Sequence, residues 1–247
     1  MAPSAQPSAE LSQLPKADGS ATFSYQGYAV TSAVNGPVEA PRRDENAFEA
    51  LVDVNVRPAA GVGGTAERQL ESILQSALRQ LIPVRDFPRS MIQVTLQVVE
   101  TPENAYENTK LVQAQLNLAM IPALLHAAIL GLLTAAVPLK TIATATLLAI
   151  SEGSGDIIVG PTAVEASRAT SVHAVGFTSD EELLLAESEG SFSPEEWGKV
   201  LREGERICCQ QVGEDTAMGD NGLESASIKD FIRAAMEAKV AADLHWK

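Results

Sequence analysis

The sequence predicts an α/β domain built on mixed sheets, and three observations predict it. Segments of strand character recur at 21–34, 51–58, 91–99 and 142–150. Helical spacing lies between and after them, at 67–82, 116–137 and from Ser193 onward. Apolar residues make up 45 % of the 247 residues, enough for a sizeable core. The resulting order (strands, helix, strand, helix, strand, strands, helix) suggests two βα-rich halves.

Each element has a local reason. Residues 21–34 are rich in Thr, Ser, Tyr, Phe and Val and are broken by Gln26-Gly27, so they read as a hairpin that stops at Gly36-Pro37. In 51–58, Val52, Val54 and Val56 alternate with Leu51, Asp53 and Asn55, the pattern of a half-buried strand ending at Pro58. The GVGG loop at 61–64 lacks a phosphate-loop lysine. Leu70, Ile73, Leu74, Ala77, Leu78 and Leu81 then share one helix face, and Pro83 stops that helix. FPRS at 87–90 is a turn, and Ile92, Val94, Leu96 and Val98 point to one side of the following strand.

The stretch 116–137 is long enough to span a bilayer. It has no aromatic belt or basic flank and contains Pro122, so it reads as the buried centre of a layered domain, with no membrane partner expected. Residues 142–150 read as a strand buried on both faces. Residues 153–167 give a turn, a short strand at 157–159 and a second turn, and 171–177 with 182–190 make a closing hairpin. Ser193, Pro194 and Glu196 open a helix with a capping box. Its apolar face carries Trp197, Val200, Leu201 and Ile207.

The expected organisation is a flexible tail at 1–10, one domain at 11–211, a linker at 212–224 and an amphipathic helix at 225–247. Ile228, Phe231, Ile232, Ala235 and Met236 give that last helix an apolar stripe, for docking on its own domain or on a partner. The opening MAPSAQPSAE has neither the basic start nor the apolar core of a secretory signal. A net charge of −14 argues against a free-standing nucleic-acid binder, though a subunit can still lend a few cations to a shared channel. The adjacent Cys208 and Cys209 read as reduced thiols. His126, His173 and His245 lie far apart without ligand spacing, so neither metal nor cofactor is expected.

An ordered set of short motifs runs through residues 11–211: ADGSA at 17–21, Gly27, GPVEA at 36–40, VRPAAG at 56–61, FPRSMIQVTLQVVE at 87–100, DIIVGPTAVE at 156–165 and GSFSPEEW at 190–197. The set resembles the ribonuclease PH family, and within it the ring subunits of the eukaryotic RNA exosome. The resemblance implies two pseudo-symmetric βαβα halves with central helices. It also implies a hexameric ring of such subunits around an RNA channel, capped by S1 and KH proteins, that supports 3′–5′ RNA processing, ribosomal RNA maturation included. It implies residence in the nucleus, nucleolus and cytoplasm.

Active members of that family shorten RNA from the 3′ end with phosphate as the attacking group. Bringing two anions together requires guanidinium forks and backbone amides, helped by carboxylates and a metal ion. Three positions here depart from that requirement. In the loop before the long helix, local letters place Lys110 at the family's arginine position and counting along the helix places Gln113 there. Either way the arginine is absent, and Glu107 and Asn108 replace glycine. Lysine can still hold phosphate as a point charge, without the planar fork. On the helix at 67–82 Arg79 remains, as a phosphate ligand or a solvent-facing cation, and its companion position is Ser76. Where the family carries aspartates, this chain has Gly160, Thr162 and Val172, with Glu165 nearby and Asp156 at the strand start as a turn cap. No catalytic residue is therefore assigned, and an inactive ring subunit is expected, with an active phosphorolytic 3′–5′ exoribonuclease as the alternative. Arg42, Arg43, Arg57, Arg68, Arg79, Arg89 and Lys110 are the candidate RNA contacts, against the reading that they are scattered surface cations or form subunit salt bridges.

Overall fold

A computed structural model describes residues 6–102, 117–152, 155–209 and 227–245. A five-stranded sheet is built from β1 (Ser8–Leu11), β2 (Gly19–Tyr25), β3 (Tyr28–Glu39), β4 (Leu51–Arg57) and β5 (Ser90–Glu100) in the order β1-β2-β3-β5-β4. Only β4 and β5 run parallel, joined by α1 (Thr65–Leu81), so this sheet is mixed. A second sheet holds β6 (Ala143–Ile150), β7 (Ile157–Val159), β8 (Ser171–Thr178) and β9 (Leu183–Gly190) in the order β7-β6-β8-β9, all antiparallel.

Between the sheets lies α2 (Ile121–Thr134), entered through one 3-10 turn at Leu118–Met120. It packs on β2 and β3 on one side, on β6 on the other, and beside α1. That placement explains why Ile121 through Leu132 are all buried: a helix covered by sheets on both sides has no polar face. No helix among the described residues is long and apolar enough to cross a membrane. Pro122 sits in the first turn, where its missing N–H costs nothing.

Period-two alternation assigns the faces. Val52, Val54 and Val56 on β4 and Ile92, Val94, Leu96 and Val98 on β5 point into the main core. The outer face of that sheet is polar, with Asn55 and Gln93 donating to Asp53 at 3.0 and 3.2 Å. The open edge of β4 is closed by α1: the Val56 N–H donates to Glu71 at 2.9 Å, and Gln75 donates to the Val52 carbonyl at 2.7 Å. In β6, Ala143, Ala145 and Leu147 join the main core, whereas Leu148 and Ile150 face a second core under α4 (Pro194–Cys209). Val175, Phe177, Val200 and Cys208 complete that second core. Both cysteines are free thiols, as the sequence suggests, and burial pushes the Cys208 thiol up to about 12.

Four expectations are revised. The strand through Gly36-Pro37 does not stop there; it kinks at a bulge between Asn35 and Val38 and runs to Glu39. Gly36 makes this possible, since its φ of +134° is outside the range of L side chains and a Cβ would meet the Met91 carbonyl oxygen at 2.7 Å. The second turn at 153–167 is instead a short helix, α3 (Ala163–Arg168), opened by Thr162. Ser8–Leu11 pairs with β2 although 1–10 reads as a tail, because Ala9 and Leu11 reach the main core. The apolar stretch 116–137 yields a helix only over Ile121–Thr134.

The final helix, α5 (Ile228–Leu244), lies against its own domain through its first half. Ile232 is fully buried, and Phe231 meets Phe23 edge-on at 6.2 Å. The segment read as a linker, 212–224, lies outside the described residues.

Candidate functional site

The Asp18-Gly19-Ser20 motif is a clasp. Asp18 accepts the Gly36 N–H at 2.9 Å, which secures the bulge of β3. Ser20 accepts the Leu14 N–H at 2.9 Å, and its carbonyl receives the Thr134 hydroxyl at 3.3 Å. Gly19 itself lies against the backbone of Gly131 and Ala135 at the end of α2. The motif fixes the first hairpin to the central helix and offers no reactive group.

Between α1 and β9 lies a cleft of about 350 Å³ lined by Ser72, Ile73, Ser76, Ala77, Leu184, Leu185, Ala186 and Glu187. Ser76, the residue at the missing arginine's position, donates to the Ser72 carbonyl at 2.9 Å. The charged side chain lining the cleft is Glu187, an anion, and among the described residues no cation lines it. The one charge the described lining supplies is therefore of the wrong sign for phosphate. Arg79 projects from the same helix but forms an ion pair with Glu49 across 30 positions of sequence. The loop with Glu107, Asn108, Lys110 and Gln113 lies outside the described residues.

The carboxylate region is equally committed elsewhere. Gly160 adopts φ +60°, a backbone conformation that disfavours a side chain such as aspartate, and the tip of the Gln26 side chain lies over it. Thr162 and Glu165 form a reciprocal capping box: the Thr162 N–H and hydroxyl donate to Glu165 at 2.8 and 2.9 Å, and the Glu165 N–H donates back at 3.3 Å. These hydrogen bonds hold the exposed Glu165 carboxyl below its ordinary value, which suits a cap and not a proton donor. Val172 lies in β8 against the main core. The Asp156 backbone carbonyl accepts the Ser151 N–H at 3.0 Å.

A histidine network lies inside the second sheet. His173 is bridged by Ser171 at 2.9 Å and Ser188 at 2.8 Å and packs against Phe192 and Trp197. Burial lowers its pKa, with Glu196 opposing, and Ser171 is buried. Ser–His pairing of this kind suits nucleophilic catalysis, but the Ser171 hydroxyl is closed off from solvent, and for Ser188, at an exposed position of β9, the far ring nitrogen of His173 is held by Ser171 and not by an orienting carboxylate. Among the described residues, no group of three His, Cys, Asp or Glu is placed to hold a metal ion.

The basic candidates in the described residues are spread over the loop after β3, the end of β4, α1 and the turn before β5. Arg42 and Arg43 are exposed in the turn after β3, Arg57 is exposed at the end of β4, and Arg68 is exposed in the first turn of α1. Arg89 pairs with Glu45 at 3.5 Å, its backbone held at φ +61°. Arg79 and Arg89 thus fit the salt-bridge reading, here within the chain, while Arg42 and Arg43 have no ion pair among the described residues. Sequence reasoning missed Phe48, which is 83 % exposed on the loop that carries Arg42 and Arg43. Its signal was an aromatic residue in an otherwise polar loop.

Residues 6–138 match the family described as the 3′ exoribonuclease family, domain 1. The chain is 32 % identical over 210 residues to the exosome complex component RRP46 of Saccharomyces cerevisiae, covering 83 % of this chain and 91 % of that one. It is 32 % identical over 129 residues to the rrp46 component of Schizosaccharomyces pombe, covering 52 % and 51 % of the two chains. Rice Rrp46 shares the fold at a TM-score of 0.76 and 23 % identity, over 96 % of this chain and 97 % of that one. A chain of the Archaeoglobus fulgidus exosome with RNA bound to the active site superposes at a TM-score of 0.64 and 14 % identity, over 81 % and 84 %.

Proposed function

The chain belongs to the 3′ exoribonuclease family of RNase PH type, and we propose that within it this protein is a non-catalytic ring subunit of an RNA exosome. Its work is then to supply interfaces to neighbouring ring subunits of the same fold and part of the wall of a shared RNA channel, beneath S1 and KH cap proteins. Through that assembly it supports 3′–5′ RNA degradation and ribosomal RNA maturation, in nucleus, nucleolus and cytoplasm. The likeness to the yeast exosome component along most of both chains supports the assembly role.

One observation carries the non-catalytic part: the cleft beside Ser76 is lined by Glu187 and by no cation among the described residues. Phosphorolysis needs the opposite, a fixed positive grip on phosphate next to the RNA diester. The positions where the family carries aspartates hold Gly160 and Thr162, and the carboxylate beside them, Glu165, is engaged in a capping box with Thr162, which supports the same reading.

The test has two arms. The tagged protein, isolated from its own cells, is expected to bring down other RNase PH-like subunits identifiable by mass. The purified chain, given a labelled oligoadenylate and inorganic phosphate, is expected to release no nucleoside diphosphate. Phosphate-dependent release that is abolished by Lys110→Ala overturns the non-catalytic reading, and recovery without ring partners overturns the assembly.

A further inference from the structure

We propose that Phe48 is a base-stacking platform for single-stranded RNA, presented by a braced loop beside Arg42 and Arg43. The inference rests on the exosome reading above and adds to it a specific contact.

Burial explains most large apolar side chains in this fold, and among the aromatic rings of the described residues Phe48 is the one most open to water. It is 83 % exposed, whereas Phe23 is fully buried and Phe177 only 5 % exposed. An aromatic ring left in water forgoes the burial that ordinarily accompanies folding. Nor does the loop hold it there loosely. The Arg89 N–H donates to the Asn46 carbonyl at 3.0 Å, and the Ala40 N–H donates to the Arg89 carbonyl at 3.2 Å. The Phe48 N–H donates to the Asn46 side chain at 3.0 Å, and the Ala50 N–H donates to the Val84 carbonyl at 2.7 Å. Ion pairs from Arg89 to Glu45 and from Arg79 to Glu49 tie both flanks of the loop to neighbouring elements. A loop braced at so many points presents the ring at little further entropic cost.

The charges around the ring select the ligand. Arg79 and Arg89 are neutralised by their carboxylate partners. Arg42 and Arg43 are left to meet an anion, with Asp44 beside them in sequence. A protein anchor in this position normally sits within an apolar surround. Here the residues flanking Phe48 are Asn46, Ala47, Glu49 and Ala50. An exposed ring on the loop that also carries two exposed arginines offers instead the combination by which single strands are held, with a base on the ring and phosphates on the cations. The near balance of charge in the loop makes stacking the larger share, so the salt dependence of this contact is shallow.

The experiment uses the assembled complex with p-benzoylphenylalanine in place of Phe48, loaded with 5′-labelled oligouridylate or oligoadenylate and irradiated. A labelled RNA adduct on this chain is expected. In parallel, Phe48→Ala is expected to weaken RNA retention by the complex about tenfold, with Phe48→Trp restoring it. Adducts confined to a neighbouring protein subunit overturn the proposal in favour of an interface role. The absence of any adduct, or equal retention by Phe48→Ala, also overturns it. A complex that assembles and holds RNA without touching position 48 leaves the exosome reading intact, whereas failure to assemble at all defeats that reading and this one together.

Discussion

Replacing Gly19 with alanine is expected to destabilise the protein by about 3 kcal/mol, the upper end of the usual cost of overpacking. A Cβ at this position would sit 2.2 Å from the Ala135 nitrogen, 2.5 Å from the Gly131 carbonyl oxygen and 2.6 Å from the Ala135 Cα. All three are backbone atoms, so no rotamer change relieves the overlap. Either β2 lifts from the end of α2 or the last turn of α2 unwinds. Both responses break the bond from Thr134 to the Ser20 carbonyl and disturb Asp18, which secures the bulge at Gly36. For a chain of this length the melting midpoint should fall by roughly 6–12 °C. Gly198→Ala is the control. Its Cβ would meet nothing within 4 Å, and it lies inside α4, so that change should stabilise by about 0.5–1 kcal/mol. Calorimetry on the two variants decides the matter, and a Gly19→Ala midpoint within about 1 °C of the parent would defeat the clasp interpretation.

The clasp also shows what a sequence can and cannot disclose. The valine alternation of β4, the apolar run of β6 and the Ser193 capping box are local patterns, and each reappears in the fold because burial and capping act over a few residues. The capping at Ser193 and that at Thr162 use the same Ser/Thr-x-x-Glu spacing. The second escaped notice because α3 has no buried residue and therefore no apolar periodicity to announce a helix. Asp18-Gly19-Ser20 reads as turn punctuation until its partners at positions 36, 131 and 134 are known.

The candidate site was legible as a set of absences. Missing arginine and aspartate positions can be counted on a line of letters. What surrounds them cannot: Gln26 over Gly160, and Glu187 of β9 lining the same cleft as Ser76 of α1, bring together residues far apart in sequence. Arg79 illustrates the same limit, since Glu49 lies 30 positions away and only the packing of α1 beside β4 brings the two together. Lys110 lies outside the described residues.

Acidification from pH 7.5 to pH 5 is expected to remove about 2 kcal/mol of stability through His126, the slope approaching about 1.36 kcal/mol per pH unit once the unfolded histidine is protonated. His126 is fully buried on α2, and its Nε2 accepts the Ala145 N–H at 3.0 Å. That bond places the remaining proton on Nδ1, which has no hydrogen-bond partner among the described residues. With Phe23 edge-on at 5.2 Å and no counter-ion among the described residues to support a cation, burial lowers the pKa from 6.5 to about 3. The unfolded chain takes up a proton below about pH 6.5 while the folded chain does not until about pH 3. Stability is therefore complete above that window and falls as pH descends through it. His173, also lowered by burial, acts in the same direction. The lowered carboxyls of Glu165, Glu196 and Glu203 add their losses only below their ordinary value of 4.5. At the alkaline end the sign reverses: Cys208, raised from 9.0 to about 12, keeps its proton when folded and loses it when unfolded, so stability declines as pH rises above 9. Urea titrations at pH 7.5, 6 and 5 measure the acid limb. His126→Gln retains an acceptor for the Ala145 N–H without a titrating group, so its slope should flatten even if the variant is less stable at every pH. Parallel slopes in parent and variant would remove His126 as the cause and place the acid sensitivity on His173 and its pair of serine hydroxyls.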